Sequence, residues 1–174
     1  DVTVRQYKEL LEAWEEEKDA KKVAIKSIGI LCDVDEETIQ KIDWEDIESV
    51  IKDIGWLIAE PDPSKLNLPL QKTFTLNGTN YGFIPDWTKL SVGEFADLET
   101  YCSQGLFDNL GYIISILYRP IKTESGDFYT IESYKGDGDP TYWDDLTMDI
   151  VMVAINVFLS IGVLLTKAFS YSLV

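Results

Sequence analysis

"KTFTLNGTNYGFI", residues 72–84, stands between two long helical patterns and sets the fold class. Asn77-Gly78 is the strongest short hairpin signal, because a type I′ turn needs positive φ at both central residues. Phe74 and Leu76 alternate on one side of the turn, with Tyr81 and Phe83 on the returning strand. A β-hairpin at the centre of an otherwise helical chain is the expectation.

Upstream, "TVRQYKELLEAWEEEK" (3–18) opens with a capping box. Thr3 can cap, and Gln6 can reach back to the cap amide. Val4, Tyr7, Leu10, Leu11 and Trp14 share one helical face. Residues 21–31 read as a second helix with Val23, Ile25, Ile28 and Leu31 inward. Asp33 and Glu36 suggest a further start, leading to a short helix at Thr38 and Ile39. "DWEDIESVIKDIGWLIAEP" (43–61) reads as a fourth helix, capped by Asp43, striped by Trp44, Ile47, Val50, Ile51 and Ile54, and ended by Pro61.

Downstream, "LSVGEFADLETYC" (90–102) repeats the capping logic with Ser91 and Glu94. Val92, Phe95, Leu98 and Cys102 are expected to face inward, and Gly105 to stop the helix. "DNLGYIISILYRP" (108–120) reads as a buried helix ended by Pro120. "IKTESGDFYTIESYKGDGDP" (121–140) is polar and turn-rich, the composition of a loop or of a second hairpin. The last segment, from Tyr142, is long and mostly apolar.

An offset of 88 places Val4 on Val92, Tyr7 on Phe95, Leu10 on Leu98, Ile25 on Ile113, Ser27 on Ser115 and Ile28 on Ile116. "DWEDI" (43–47) then matches "YWDDL" (142–146) at an offset of 99. The expected fold is therefore mainly α (α+β): one domain of two pseudo-repeated helical halves with a central hairpin. Its parts are a helical half at 1–60, a hairpin insert at 66–88, and a second half at 89–174 ending in a long helix.

The 174 residues carry 15 basic and 31 acidic side chains, a net charge of −16. Such a surface repels phosphate backbones and argues against direct nucleic-acid binding. Histidine is absent, which removes the commonest general base and metal ligand. Cys32 and Cys102 are read as core residues, and no CxxC motif is present. The acid groups Asp35/Glu36/Glu37, Glu45/Asp46 and Asp144/Asp145 are assigned to first helical turns, where carboxylates complement the macrodipole. "DGDPTYWDDLTM" (137–148) fails as a calcium loop, with Tyr142 at position six and Met148 at position twelve. "NGT" (77–79) has the glycosylation form but is better explained by its turn. No P-loop, GxGxxG or Ser-His-Asp set occurs. No catalytic, cofactor-binding or metal-ligating residue is assigned, and no enzyme activity or cofactor is expected.

The N-terminal stretch is charged and amphipathic, unlike a signal peptide. Seventeen uncharged residues separate Asp149 from Lys167. Asn156, Ser160, Gly162 and Thr166 within them favour a buried or subunit-facing helix over 143–168 rather than a membrane span.

Residues 74–102, followed by the buried "NLGYIISILYRP", resemble a group of small proteins of tailed bacteriophages of Bacteroidetes hosts. The resemblance is carried by Leu90, Ser91, Val92, Gly93, Phe95, Asp97 and Leu98, and covers residues 70–120 best. It implies a virion structural or tail-assembly protein and no catalytic residues. The expected function is non-enzymatic, through contacts with other virion or assembly proteins and with itself, in the virion or in the host cytoplasm during assembly. The alternatives are a tail-assembly chaperone shielding a tape-measure protein, and a membrane-associated phage protein.

Overall fold

The computed structural model describes residues 2–58 and 68–172, with side chains to Lys52 in the first stretch and to Gly162 in the second. Its contacts divide the chain into two compact units, Asp1–Asp62 and Pro63–Val174.

The first unit is helical: α1 (Val4–Glu16), α2 (Ala20–Cys32), α3 (Glu36–Ile39) and α4 (Trp44–Ile58). The Thr3/Gln6 capping box forms as its spacing predicts. Val4, Tyr7 and Leu10 are buried on one face of α1. Trp14 donates from Nε1 to Ser27 Oγ at 2.9 Å, and Ser27 Oγ donates to the Val23 carbonyl at 2.8 Å. The buried hydroxyl is thus satisfied twice. Ala24, Ile28, Ile39 and Ile47 form the core between α2, α3 and α4.

Three local expectations change in this unit. Asp35, not Asp33, caps α3, while Asp33 takes the left-handed conformation (φ 54°) that ends α2. Cys32, expected in the core, is exposed at the end of α2. Trp44 leaves 40% of its surface in solvent. Ile54 has no described side chain, and Pro61 lies outside the described residues.

The second unit is α+β. Its elements are β1 (Thr73–Leu76), β2 (Thr79–Phe83), a 3-10 turn (Trp87–Lys89), α5 (Val92–Ser103), α6 (Leu110–Leu117), β3 (Tyr118–Ser125), β4 (Phe128–Ile131), a second 3-10 turn (Pro140–Trp143) and α7 (Met148–Ser172). The Asn77-Gly78 turn has φ of 50° and 78°, both positive as type I′ requires. Phe74 pairs with Tyr81 across it. The four strands form one antiparallel sheet in the order β1-β2-β3-β4.

This sheet overturns the expected fold class. The hairpin is not an insert between two helical halves; it is half of a four-stranded sheet. Among the described residues, seven α-helices and that sheet make the chain mixed α+β, without a clear two-repeat helical architecture. The match at an offset of 88 fails at Tyr118. There the second copy turns into β3, whereas Ile30, its counterpart, is still inside α2. The third matched block fails too: "DWEDI" enters α4, but "YWDDL" runs through a 3-10 turn and α7 begins only at Met148. Pro120 does not end α6 either. The helix stops at Leu117, and Pro120 sits within β3 opposite Tyr81.

One face of the sheet carries Phe74, Tyr81, Phe83 and Tyr118 in mutual ring contact. Trp143 meets Tyr81 edge-on at 4.9 Å, and Trp87 meets Phe83 at 5.7 Å. Buried α6 (Leu110, Ile113, Ile114, Leu117) and the start of α7 (Val151, Ala154, Ile155) complete the core. Gly111 is required by close approach, because a Cβ there would strike the Pro140 backbone.

Candidate functional site

The densest polar constellation lies in the second unit, on α5, β3 and the segment after β4. Glu94 is the third residue of α5 and almost fully buried. Its Oε2 accepts from the Ser91 amide at 2.6 Å, closing the capping box, while Oε1 meets Arg119 Nη1 at 2.6 Å. One carboxylate therefore caps a helix and anchors it to β3. Both partners are largely withdrawn from water, with 13% of the Arg119 and 5% of the Glu94 side chain exposed. One turn further along α5, Tyr134 donates its hydroxyl to Asp97 Oδ2 at 2.6 Å. Burial, and next the bond to Asp97, raise the Tyr134 pKa well above the ordinary phenol value. Tyr134 is thus a donor at neutral pH and not a base.

Two clefts flank this cluster and share Arg119, Glu132, Ser133 and Tyr134 in their walls. One, of about 260 Å³, lies beside Tyr81, Tyr142 and Trp143 and the loop Gly136–Asp139. Its rings pack on one another at centroid separations of 4.9–5.9 Å. They meet tilted or edge-on and form a wall of the cleft. The other, of about 600 Å³, is bordered by Ile84–Asp86, the start of α5 and Tyr129–Tyr134. Its charges are matched within the protein: Glu94 with Arg119, Asp86 with Lys89 at 3.4 Å, and Glu132 with Lys135 at 3.7 Å. A nucleophile set beside a general base is missing from this arrangement, and its carboxylates are held by donors.

The acid groups singled out in the sequence are scattered. Asp35 accepts from the Thr38 hydroxyl at 2.8 Å and amide at 2.9 Å, and these bonds hold its pKa below the usual carboxylate range. Glu36 and Glu37 occupy the first turn of α3, and Glu45 and Asp46 that of α4. Asp144 and Asp145 do not open a helix: they follow the 3-10 turn, and Asp149 occupies the first turn of α7. Among the described residues no group of three or more Cys, Asp or Glu side chains is placed to hold a metal ion. Cys102 is half-buried, and burial raises its thiol pKa.

Apolar side chains on the surface are more informative. Val92 is 87% exposed and Phe95 50%, although both were expected inward with Leu98. Phe128, at the tip of the β3–β4 hairpin, is 83% exposed. In α7 burial ends with Ile155; Asn156, Val157 and Phe158 are half-covered, and Leu159 is 40% exposed. Among the described residues no helix is long and apolar enough to cross a membrane. The Glu94–Arg119 pair was missed in the sequence because Glu94 has a sufficient local role in the capping box.

Comparison with protein-family models, curated proteins and solved structures finds no match to this chain.

Proposed function

We propose that the chain is a non-enzymatic structural or assembly protein of a tailed bacteriophage that works through protein–protein contacts. The observation that supports contact work is α7. Its first turns are buried in the second unit, and the helix then continues to Ser172 with Leu159 and Ser160 already in solvent. Val157, half-covered, and Leu159, 40% exposed, are apolar side chains that this stretch offers to a partner. The net charge of −16 keeps such a chain soluble and disfavours phosphate backbones as partners. The phage assignment is supported by the resemblance over residues 70–120 alone.

Mass spectrometry of purified particles and of the infected-cell lysate tests this. A stoichiometric presence in particles is the expected result. Presence in the lysate with absence from particles selects the tail-assembly chaperone. A coding sequence remote from any phage gene set, with no protein partner recovered by affinity purification, overturns the proposal.

A further inference from the structure

We propose that Phe128 of one copy seats in the apolar groove between α2 and α4 of a second copy. The inference deepens the reading of the chain as a contact protein and rests on it.

The β3–β4 hairpin is built as a projecting finger. Pairing between β2 and β3 ends at Tyr81 and Pro120, so β3 beyond that point is paired only with β4. Lys122 to Phe128 are all exposed. A two-stranded ribbon of this kind has little stability of its own in water. It nevertheless closes with a tight turn, Gly126 at φ 58°, and a Thr123–Thr130 hydroxyl pair at 2.5 Å. At its tip it presents the most exposed aromatic ring among the described residues. Nothing within the finger covers that ring.

The first unit holds a matching recess. Ala20, Val23, Ala24, Trp44 and Ile51 line a groove of about 240 Å³ whose surface is almost wholly apolar. An apolar cavity of roughly 150 Å³ suffices for benzene, so a phenyl ring fits with room for its Cβ. One set of charges agrees as well, beside Lys122 on the finger and Glu48, which accepts from Trp44 Nε1 at 2.6 Å. Lys21 stands at the rim, its Nζ 5.3 Å from the centre of the Trp44 ring. Asp127 precedes the Phe128 ring, and Glu124 lies on the same finger. None of these three forms an ion pair among the described residues. A seated finger brings its carboxylates to Lys21 while the ring enters the groove. Knob and recess are different surfaces of one chain, so two copies pair them either reciprocally in a closed two-fold dimer or in one direction, which propagates into rings or filaments.

Sedimentation velocity of the whole chain over a concentration series reads this directly. The wild type is expected to show a rising sedimentation coefficient, and Phe128→Ser and Ala20→Trp each to lose that rise. Both positions are exposed, and circular dichroism verifies their folding. Mixing the two variants, one with an intact groove and the other with an intact finger, should restore association but only as far as a dimer. Lys21→Glu and Asp127→Lys should each weaken association, and their mixture should recover it. A photo-crosslinker at position 128 should label the α2 or α4 segment. A wild type that stays monomeric at every concentration, an undiminished rise in Phe128→Ser, or crosslinks elsewhere would overturn the inference. Particle proteomics reports separately: a monomeric chain found in virions ends this contact and leaves the virion reading standing.

Discussion

Helices α1 and α5 begin with the same pattern of residue types and bury different faces. Both close their capping boxes, Thr3 with Gln6 and Ser91 with Glu94. Both bury the Leu seven residues beyond the cap, since Leu10 and Leu98 have no exposed surface. The residues between diverge. Val4 is fully buried and Val92 is 87% exposed; Tyr7 is 1% and Phe95 50% exposed. The cause lies at the third helical residue. Gln6 donates to the Ile30 and Leu31 carbonyls at the end of α2, neutral contacts that leave the apolar stripe facing inward. Glu94 carries a charge that is buried only because Arg119 meets it, and that pair turns the Glu94 side of α5 towards the sheet. Local sequence thus decides where a helix starts; a distant cation decides which way it faces.

The largest effect should come from removing that cation. Arg119→Ala leaves Glu94 buried without its counter-ion and should cost about 3–5 kcal/mol in chemical denaturation. Gln6→Ala removes neutral hydrogen bonds and should cost about 1 kcal/mol. Equal costs would break the explanation of why the two faces differ.

The aromatic positions come next. Tyr7→Ala empties a fully buried site and should cost on the order of 3 kcal/mol. Phe95→Ala, half in solvent already, should cost no more than about 1 kcal/mol. A large loss at Phe95 would mean that α5 buries the stripe its sequence suggests.

A third difference appears only in alkali. Burial raises the Tyr7 hydroxyl to about 12 from an ordinary value of 10.0. The folded form holds its proton more tightly than the unfolded form, so this contribution is intact below pH 10 and is lost as pH rises through about 12. The first unit should lose about 2 kcal/mol across that window by thermal melts, and Tyr7→Phe should remove that part of the loss. Phe95 has no such group, so Phe95→Ala should leave the alkaline profile unchanged.

The smallest effect sharpens what the helices share. Thr3→Ala and Ser91→Ala should each cost about 0.5–2 kcal/mol, and similar amounts, since each hydroxyl serves one orphan amide. A cap that proved neutral in α5 alone would show that Arg119, rather than Ser91, sets that helix start.

The same division runs through the rest of the molecule. The Asn77-Gly78 turn was legible because it depends on two adjacent residues adopting positive φ. The stop at Gly105, with φ 117°, was legible for the same reason. β3 was legible only in part: its second half forms with β4 the second hairpin that residues 121–140 allowed, but Pro120 reads as a helix terminator and "YRPIKTES" lacks clean alternation. Its first half becomes a strand because β2, which lies before α5 and α6 in the chain, supplies its hydrogen bonds on the side away from β4. Cys32 was misjudged because the apolar run before it continues the helix but not the buried face. The Glu94–Arg119 and Asp97–Tyr134 contacts bridge 25 and 37 residues, and nothing local records them. Sequence alone determined the capping-box starts of α1 and α5, the first hairpin turn and the acidic charge, all of which depend on neighbours along the chain. Tertiary structure decided the sheet, the facing of α5 and the exposure of Phe95, Phe128 and Leu159. Burial and charge pairing depend on what arrives from elsewhere in the chain, and periodicity supplies only the candidates.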